Sequence, residues 1–396
     1  MNKHRKKKLR RIIAGIPLAK RIYHFFQAMQ KDRVSAYDTV KLKYDPGVDE
    51  DLSLNGADKV ILEWPSNTPK PYVGLVKDGN APTAYWPKYE RFLINNDIKY
   101  DFFDIHRSDF LNKSKDFNII LWRTQSNPAE QEEASSKIWI LENYLKKLCI
   151  PAYDELWFYE NKINQYYLCK VNNLPIVNTY VSNSREETLE YIRRCKYPIV
   201  SKITTGAGAQ GVELIKNHKA AKRVSIKVFD CGLKTYWRYL KQKDYVYYQE
   251  YMPNTGYDLR IIVVGDSYFG YRRLVPKDDF RALGEENEDH TSPISEDALM
   301  LAKKIKESFP KTRILAVDML NSKDDDNYYF IEASIFYQVD YPSEMVVNGK
   351  LGRYVFQGGK FIFQPGKYWT QELTLQEVMK EWIESRKEDM NAEQDH

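Results

Sequence analysis

A lysine precedes a glycine-rich loop in the segment Tyr197-Pro-Ile-Val-Ser-Lys202-Ile-Thr-Thr-Gly206-Ala-Gly208-Ala-Gln-Gly211-Val-Glu-Leu-Ile-Lys216. The glycines have the G-x-G-x-x-G spacing of dinucleotide sites, which need a helix directly after the loop to hold the pyrophosphate. Residues 212–216 instead alternate between apolar and polar side chains, which predicts a strand. The loop therefore joins two strands, and its backbone N–H groups can fold over the phosphates of a mononucleotide.

Two other phosphate-binding motifs do not fit this loop. It does not end in the Gly-Lys-Ser/Thr of a Walker loop. Protein kinases place their lysine after the glycine loop, whereas Lys202 comes before it. We therefore expect an ATP site of a different type.

The composition indicates a globular protein with two or three domains. The chain has 396 residues, of which 43% are hydrophobic. Its four cysteines show no C-x-x-C spacing, which favours a reduced, cytoplasmic compartment over a disulfide framework or a cysteine metal site. The six histidines show no paired spacing typical of catalysis or zinc binding.

The positive charge is concentrated at the amino terminus. Residues 1–43 contain 13 of the 60 Lys and Arg residues and two of the 55 Asp and Glu residues, so the remainder has a net charge of −6. We expect no nucleic-acid partner for this acidic remainder. The basic amphipathic segment suits an anionic membrane surface through residues 1–33, at the inner membrane face. The alternatives are a solvated tail followed by a packed helix, or RNA contact.

An α/β unit is predicted for residues 58–150 after the amino-terminal segment. Its alternating elements indicate a small parallel sheet. The expected strands and helices are, in chain order, strands 59–64 and 72–76, helix 87–95, strands 100–105 and 118–122, and helix 129–149.

Two further units and a carboxy-terminal helix complete the α/β (α+β) fold class. The unit at 151–243 holds the glycine loop and its two strands, and the unit at 244–370 is rich in strands. Residues 371–396 form a helix and a tail. Besides the two loop strands, the elements expected in these units are helices 161–172 and 184–194, strands 177–181, 245–250, 259–264, 267–274, 314–320 and 328–332, and helix 296–309.

Two carboxylates interrupt or end apolar strands near the end of the third unit. Asp318 lies in Ile314-Leu-Ala-Val-Asp318-Met-Leu, and Glu332 lies in Tyr328-Tyr-Phe-Ile-Glu332-Ala-Ser334. An unpaired charge at such a position is costly. Either the two carboxylates share a divalent cation such as Mg²⁺, or they form ion pairs with nearby arginines.

Several cations also fall in or beside the predicted strands. Two carboxylates do not neutralise them all, but a triphosphate together with a carboxylate substrate does. Any one of them is equally consistent with a surface position. They are Lys202, Arg260, Arg272, Arg273 and Arg281.

The order of these motifs over residues 72–340 resembles the ATP-grasp superfamily, and within it the RimK-like carboxylate–amine ligases. The matching pieces are Asn161-Lys162, Leu174-Pro175, the Lys202 strand, the glycine loop, Gln249-Glu250-Tyr251, Asp258-Leu-Arg260, Arg272-Arg273, Asp279-Phe-Arg281, Asp318 and Glu332-Ala-Ser334. The resemblance implies an ATP-grasp fold in which two α+β subdomains, 151–243 and 244–370, sandwich ATP. A small parallel-sheet pre-ATP-grasp domain, 58–150, precedes them.

The resemblance also implies a role for each matching residue. Arg260, Arg273 and Arg281 would be catalytic and would neutralise the charge of the phosphate or of the group being transferred. ATP contacts fall to Lys162, Lys202, Gly206, Gly208, Gly211, Glu250, Tyr251 and Asp258. Metal ligation, to Mg²⁺ or Mn²⁺, falls to Asp318, Glu332 and Ser334.

The implied reaction is the ATP-dependent joining of a carboxylate and an amine through an acyl phosphate. A basic amino terminus that faces a membrane suits a cell-envelope glycan or peptide precursor as substrate. Two residues depart from the family pattern: Ser334 and Leu283 each occupy a position that usually holds asparagine. A small-molecule kinase on the same scaffold and a degenerate nucleotide-binding scaffold protein are the alternatives.

Overall fold

A computed structural model describes residues 54–78, 84–205, 211–235, 237, 239–276, 288–337 and 342–394. Their strands form three main sheets and one small two-stranded sheet. The residues predicted to contact a membrane, 1–33, lie outside the described residues, as do Gly206, Gly208 and Arg281. Among the described residues, no helix combines the length and the apolar character needed to cross a membrane.

The first sheet is parallel, as the sequence predicts. Its spatial order is β2-β1-β3-β4, and all its strand pairs are parallel. The strands are β1 Val73–Leu75, β2 Tyr100–Phe102, β3 Ile119–Leu121 and β4 Leu148–Ile150. Every residue of β1 and β3 is buried, which is typical of central parallel strands covered on both faces.

Four helices connect the strands of this sheet and follow it. They are α1 Trp86–Asn95, α2 Phe110–Ser114, α3 Pro128–Asn143 and α4 Tyr153–Phe158. The predicted helix 129–149 is too long, because α3 ends at Asn143 and residues Leu148–Ile150 form β4. Lys146 between them has a φ of 51°, a left-handed conformation that ends helical geometry.

The predicted strand 59–64 is wrong. These residues form no regular element, although three consecutive apolar side chains, Val60, Ile61 and Leu62, lie among them. The side chain of Asn96 takes the place of a neighbouring strand: its Oδ1 accepts from Leu62 N at 2.8 Å and its Nδ2 donates to Val60 O at 2.9 Å.

The second sheet contains the strand of Lys202. Its order is β5-β10-β6-β7, and all its pairs are antiparallel. The strands are β5 Thr179–Ser182, β6 Ile199–Lys202, β7 Val212–Ile215 and β10 Val246–Glu250, while β8 Leu233–Lys234 and β9 Lys241–Gln242 pair separately. Lys202 is opposite Val212, so the segment after the glycine loop is a return strand, as predicted.

Three helices lie in this part of the chain, namely α5 Lys162–Val171, α6 Arg185–Arg194 and α7 His218–Asp230. Strand β10 was expected at residues 245–250 in the third unit. Its hydrogen bonds instead place it between β5 and β6 in the second sheet. Pairing partners far away in sequence decide sheet membership, and a single strand pattern does not reveal them.

The third sheet is the largest. Its order is β15-β14-β11-β12-β17-β16, with β13 on β12 and β18 on β17. The strands are β11 Asn254–Val264, β12 Ser267–Leu274, β13 Glu288–Asp289, β14 Ile314–Ser322, β15 Tyr328–Ser334, β16 Val346–Val347, β17 Lys350–Gln357 and β18 Lys360–Pro365. Helix α8 Glu296–Ser308 packs on β11 and β14, and α9 Thr370–Gln394 packs on α1 and β11.

Candidate active site

Five charged side chains share one face of the third sheet. Antiparallel pairing sets Asp258 opposite Arg273 and Arg260 opposite Asp318. Asp318 is in turn opposite Glu332 on the edge strand β15. Residues directly opposite each other in a sheet project to the same side, so this register alone brings the five groups together. They are five of the residues to which the sequence assigned a role at the site.

The two arginines hold two of the carboxylates in bidentate ion pairs. Arg260 binds Asp318 through Nε at 2.7 Å and Nη2 at 2.8 Å. Arg273 binds Asp258 with the same two distances, and its Nη2 also lies 2.7 Å from Asp318 Oδ2. Of the two alternatives from the sequence, a shared cation or ion pairs with arginines, the structure shows Asp318 in ion pairs with arginines.

These pairs control ionisation within the cluster. Burial opposes the charge of Asp318, but Arg260 and Arg273 outweigh burial and lower its pKa to about 2. Burial raises the pKa of Asp258, which Arg273 only partly offsets. Asp318 is therefore a carboxylate at neutral pH, the form that a metal ion or a guanidinium requires.

Lysines from two other elements complete the cluster. Lys162 begins α5, where Asn161 Oδ1 caps the helix by accepting from Ile163 N and Asn164 N, each at 3.2 Å. Its Nζ lies 2.7 Å from Glu332 Oε1. Burial lowers the pKa of Lys162, but the charges of Glu332 and Glu160 outweigh burial and raise the pKa overall.

Lys202 at the end of β6 differs from Lys162, because its ammonium group forms no ion pair with a residue that the structure describes. It is 7% exposed, and its side-chain ammonium group forms no hydrogen bond with any described residue. Burial, reinforced by the nearby charge of Lys162, lowers its pKa to about 8. A buried ammonium group without an acceptor is suited to an anionic ligand.

Asp318 and Glu332 fit the donor set for Mg²⁺. They are adjacent across two strands, and Mg²⁺ is usually held by one or two carboxylates together with substrate phosphates. Among the described residues, no group of three or more Asp, Glu, His or Cys side chains forms a self-sufficient metal site. Ser334 follows on the same strand, where its hydroxyl donates to Phe336 O. Its role as a ligand stays a prediction.

The residues predicted to contact the nucleotide base lie at the end of β10. The N–H of Glu250 already donates to Asn178 O at 2.8 Å, and Glu250 Oε1 accepts from Asn178 Nδ2 at 2.9 Å. The main-chain N–H of Glu250 is therefore already used. If Glu250 forms a main-chain hydrogen bond with the nucleotide base, its carbonyl group would have to accept it. Tyr251 follows directly and is partly buried.

Gly211 is the one glycine of the loop among the described residues. Its φ is 77°, and a Cβ there would lie 2.4 Å from Ile203 Cδ1. Its carbonyl accepts from Ile203 N at 3.0 Å, which closes the hairpin. This position therefore needs glycine for both its backbone conformation and its space.

Gln165 is a site residue that the sequence analysis missed. It is buried on α5, three residues after Lys162. Its Oε1 accepts from Ala333 N at 3.0 Å and its Nε2 donates to Ala333 O at 2.8 Å, so it holds the backbone between Glu332 and Ser334. A polar residue one turn after Lys162, on the same helix face, was the only available signal.

Comparison with known proteins agrees with this architecture. Residues 159–344 match the family described as the RimK-like ATP-grasp domain. The predicted resemblance to RimK-like ATP-grasp domains is confirmed over this segment, and the fold is the ATP-grasp fold, as the sequence predicted.

A curated relative is the alpha-aminoadipate–LysW ligase LysX of Saccharolobus solfataricus. It is 27% identical over 188 residues, which are 45% of this chain and 63% of the relative. The match thus spans less than two thirds of that protein.

Two solved structures are also similar. A RimK-domain ATP-grasp protein from Sphaerobacter thermophilus has 17% identity over 56% of this chain and 75% of its own, with a TM-score of 0.42. A RiPP-associated ATP-grasp ligase from Chryseobacterium gregarium, solved with ADP and a leader and core peptide, has 15% identity over 68% and 90%, with a TM-score of 0.48.

Proposed function

We propose that this protein is an ATP-dependent carboxylate–amine ligase that acts through an acyl phosphate. One observation carries the proposal: four cations and three carboxylates from two sheets and one helix converge on one site. Lys162, Lys202, Arg260 and Arg273 exceed the three carboxylates by one positive charge, so the site favours an anionic ligand. The name of the curated relative, a ligase, supports the same class of reaction.

The lysines are placed to bind the nucleotide phosphates. Lys202 has no acceptor among the described residues, and a phosphate oxygen would supply one. Lys162 is held by Glu332, so its ammonium group is oriented before the nucleotide arrives. Gly211 allows the hairpin after Lys202 to approach the phosphates closely. Gly206 and Gly208 are proposed to act in the same way.

Asp318, Glu332 and Ser334 would hold the metal ion. Mg²⁺, or Mn²⁺ in its place, would offset the charge on the phosphate oxygens during phosphoryl transfer. The guanidinium groups of Arg260 and Arg273 keep Asp318 ionised and so maintain it as a ligand.

The two arginines would also act on the reacting groups. Their bidentate pairs fix both guanidinium planes, and fixed donors stabilise developing charge without reorganising. The same role is proposed for Arg281, and nucleotide contacts are proposed for Glu250, Tyr251 and Asp258.

The finer proposal concerns the substrate and its location. We expect a cytoplasmic enzyme that joins an amine to the carboxylate of a cell-envelope peptide or glycan precursor. The support is the basic composition of residues 1–43, which suits the anionic inner face of a membrane.

Product analysis tests the reaction class. The purified chain is incubated with ATP, Mg²⁺ and a mixture of amino acids and cell-envelope precursors, and the products are identified by mass spectrometry. We expect ADP, phosphate and an amide. ADP with a stable phosphorylated product would indicate a kinase instead. Absence of Mg²⁺-dependent nucleotide binding would indicate a degenerate scaffold protein.

A further inference from the structure

A second polar cluster lies at the carboxyl ends of the parallel strands in the first sheet. The sheet order β2-β1-β3-β4 places β1 beside β3, and the chain leaves these two strands towards opposite edges of the sheet. Such a point in a parallel α/β sheet opens a crevice where ligands bind. Asp78 follows β1 and Arg123 follows β3, so both lie at this point of the sheet.

Arg123 is nearly buried yet has no hydrogen-bond acceptor among the residues that the structure describes. Its side chain is 15% exposed, and its Nε is buried without a partner. The nearest carboxylate oxygen is Asp78 Oδ2 at 3.7 Å, which is beyond hydrogen-bond distance. The guanidinium forms no hydrogen bond with any described residue. The ion pair with Asp78 and the contact with the Tyr85 ring leave these hydrogen-bond donors unsatisfied by described residues, and a buried unsatisfied donor is costly.

The carboxylates near Arg123 are satisfied elsewhere. Asp78 Oδ1 accepts from Trp86 N at 2.9 Å and Asp78 Oδ2 accepts from Tyr85 N at 3.1 Å, at the start of α1. Glu130 lies in the first turn of α3, where the helix dipole favours its charge. Asp78 therefore has hydrogen-bond partners without Arg123, and no described residue occupies the donors of the guanidinium, so they can serve an acceptor from outside the chain.

This cluster is joined to the candidate active site by aromatic contacts. The Tyr85 ring lies 5.2 Å from the guanidinium carbon of Arg123 and 5.6 Å from the ring of Phe336. The hydroxyl of Tyr85 donates to Tyr337 O at 2.8 Å and accepts from Tyr337 N at 3.0 Å. The carbonyl oxygen of Phe336 also accepts a hydrogen bond from the hydroxyl of Ser334, the last residue of β15. The short segment after β15 therefore connects this strand to the ring that contacts Arg123.

We propose that Arg123 binds a carboxylate of the ligase substrate that is not the one activated by ATP. A planar guanidinium with free donors matches a carboxylate in a bidentate geometry. The substrate class is thus a dicarboxylic acid, an amino acid or a peptide with a free carboxyl terminus. This inference rests on the proposed function.

Thermal unfolding of the full chain tests the site with defined probes. The probes are succinate, glutarate, L-glutamate and L-alanyl-L-alanine, each compared with the corresponding carboxamide. We expect at least one carboxylate to raise the unfolding temperature of the wild type, while its carboxamide does not. In Arg123→Gln, binding of that probe weakens about tenfold or more, the scale of a lost charged hydrogen-bond pair.

Two controls separate this inference from the proposed function. Arg107→Gln changes an exposed arginine of the same unit and should bind the probe like the wild type. A non-hydrolysable ATP analogue with Mg²⁺ should stabilise the wild type and Arg123→Gln equally. If the ATP analogue does not raise the unfolding temperature of the wild type, that result would contradict the proposed function itself.

The inference is overturned by any of three results. They are a wild type that no carboxylate probe stabilises, a carboxamide that stabilises as well as its acid, and an Arg123→Gln variant with unchanged probe binding. A strongly destabilised Arg123→Gln without ligand would also contradict it, because that result would give Arg123 a structural role towards Asp78.

Discussion

Arg273 on β12 contacts Asp318 on β14 across the strand that separates them. Its Nη2 lies 2.7 Å from Asp318 Oδ2, while its other contacts hold Asp258 on the intervening β11. Asp318 therefore accepts from two guanidinium groups, both of which reach it from the β11 side of β14. This network keeps the carboxylate ionised and fixes its position before a metal ion or a nucleotide binds.

Loss of either proposed metal ligand should abolish ATP turnover without unfolding the chain. In Asp318→Asn and in Glu332→Gln we expect turnover to fall about 100-fold or more, since each removes a charge that organises phosphoryl transfer. Asp318→Asn should also lower the free energy of unfolding by about 3 kcal/mol, because two buried guanidiniums lose a charged partner.

The measurements are ADP release, circular dichroism and chemical denaturation. Asp266→Asn is the matched control, because Asp266 is exposed at the turn between β11 and β12. Normal turnover in either variant would remove the metal assignment.

Gln165 should act as a positioning residue for the metal ligands. Gln165→Leu leaves the N–H and C=O of Ala333 without their side-chain partner. We expect the Mg²⁺ concentration for half-maximal turnover to rise about tenfold, as for other residues that orient metal ligands. A titration of turnover against Mg²⁺ measures this.

The matched control is Asn172→Leu, which changes an exposed amide at the end of the same helix. If Gln165→Leu is less stable but keeps the wild-type Mg²⁺ dependence, Gln165 is only structural.

Lys202 should make nucleotide binding depend on pH. Its folded-state pKa is about 8, and phosphate binding requires the charged form. Affinity for a non-hydrolysable ATP analogue should therefore fall about tenfold for each pH unit above that value. Lys202→Met should bind weakly and lose this dependence, whereas Lys216→Met, on the exposed end of the same hairpin, should behave like the wild type.

The lowered pKa of Lys202 has the opposite effect on the pH dependence of folding stability. Between about 8 and the usual lysine value of 10.5, the unfolded chain holds more protons than the folded chain. Stability without nucleotide should thus rise as the pH increases through this window, and Lys202→Met should lack that rise. A flat pH dependence of both binding and stability in the wild type would contradict the burial of a charged Lys202.

The amino-terminal segment should bind anionic membranes. Deletion of residues 1–33 should leave ATP turnover unchanged but reduce binding to vesicles that contain phosphatidylserine. The wild-type interaction should weaken as salt increases, because it depends on basic side chains. Vesicle co-sedimentation measures both effects, and equal binding by the shortened chain would exclude a membrane role for this segment.

Local patterns predicted most of the elements that hold the site. The predicted helix 161–172 corresponds to α5, and the apolar runs around Asp318 and Glu332 marked β14 and β15. Local patterns failed where the deciding partner was distant. The side chain of Asn96 holds residues 60–62 as an irregular segment, and β10 joined an earlier sheet because its partners are β5 and β6.

The sequence alone was sufficient to predict strands that carry charged residues and a glycine-rich hairpin. Both predictions depend on local properties, namely the alternation of side chains along a strand and the backbone flexibility of glycine. The register of β11, β12, β14 and β15 was needed to show that Arg260 and Arg273 converge on Asp318. Likewise, only the packed structure shows that burial and a neighbouring charge lower the pKa of Lys202, and that no described residue accepts from the guanidinium of Arg123. Those properties arise from groups far apart in sequence, and they exist only once the sheets and helices have packed together.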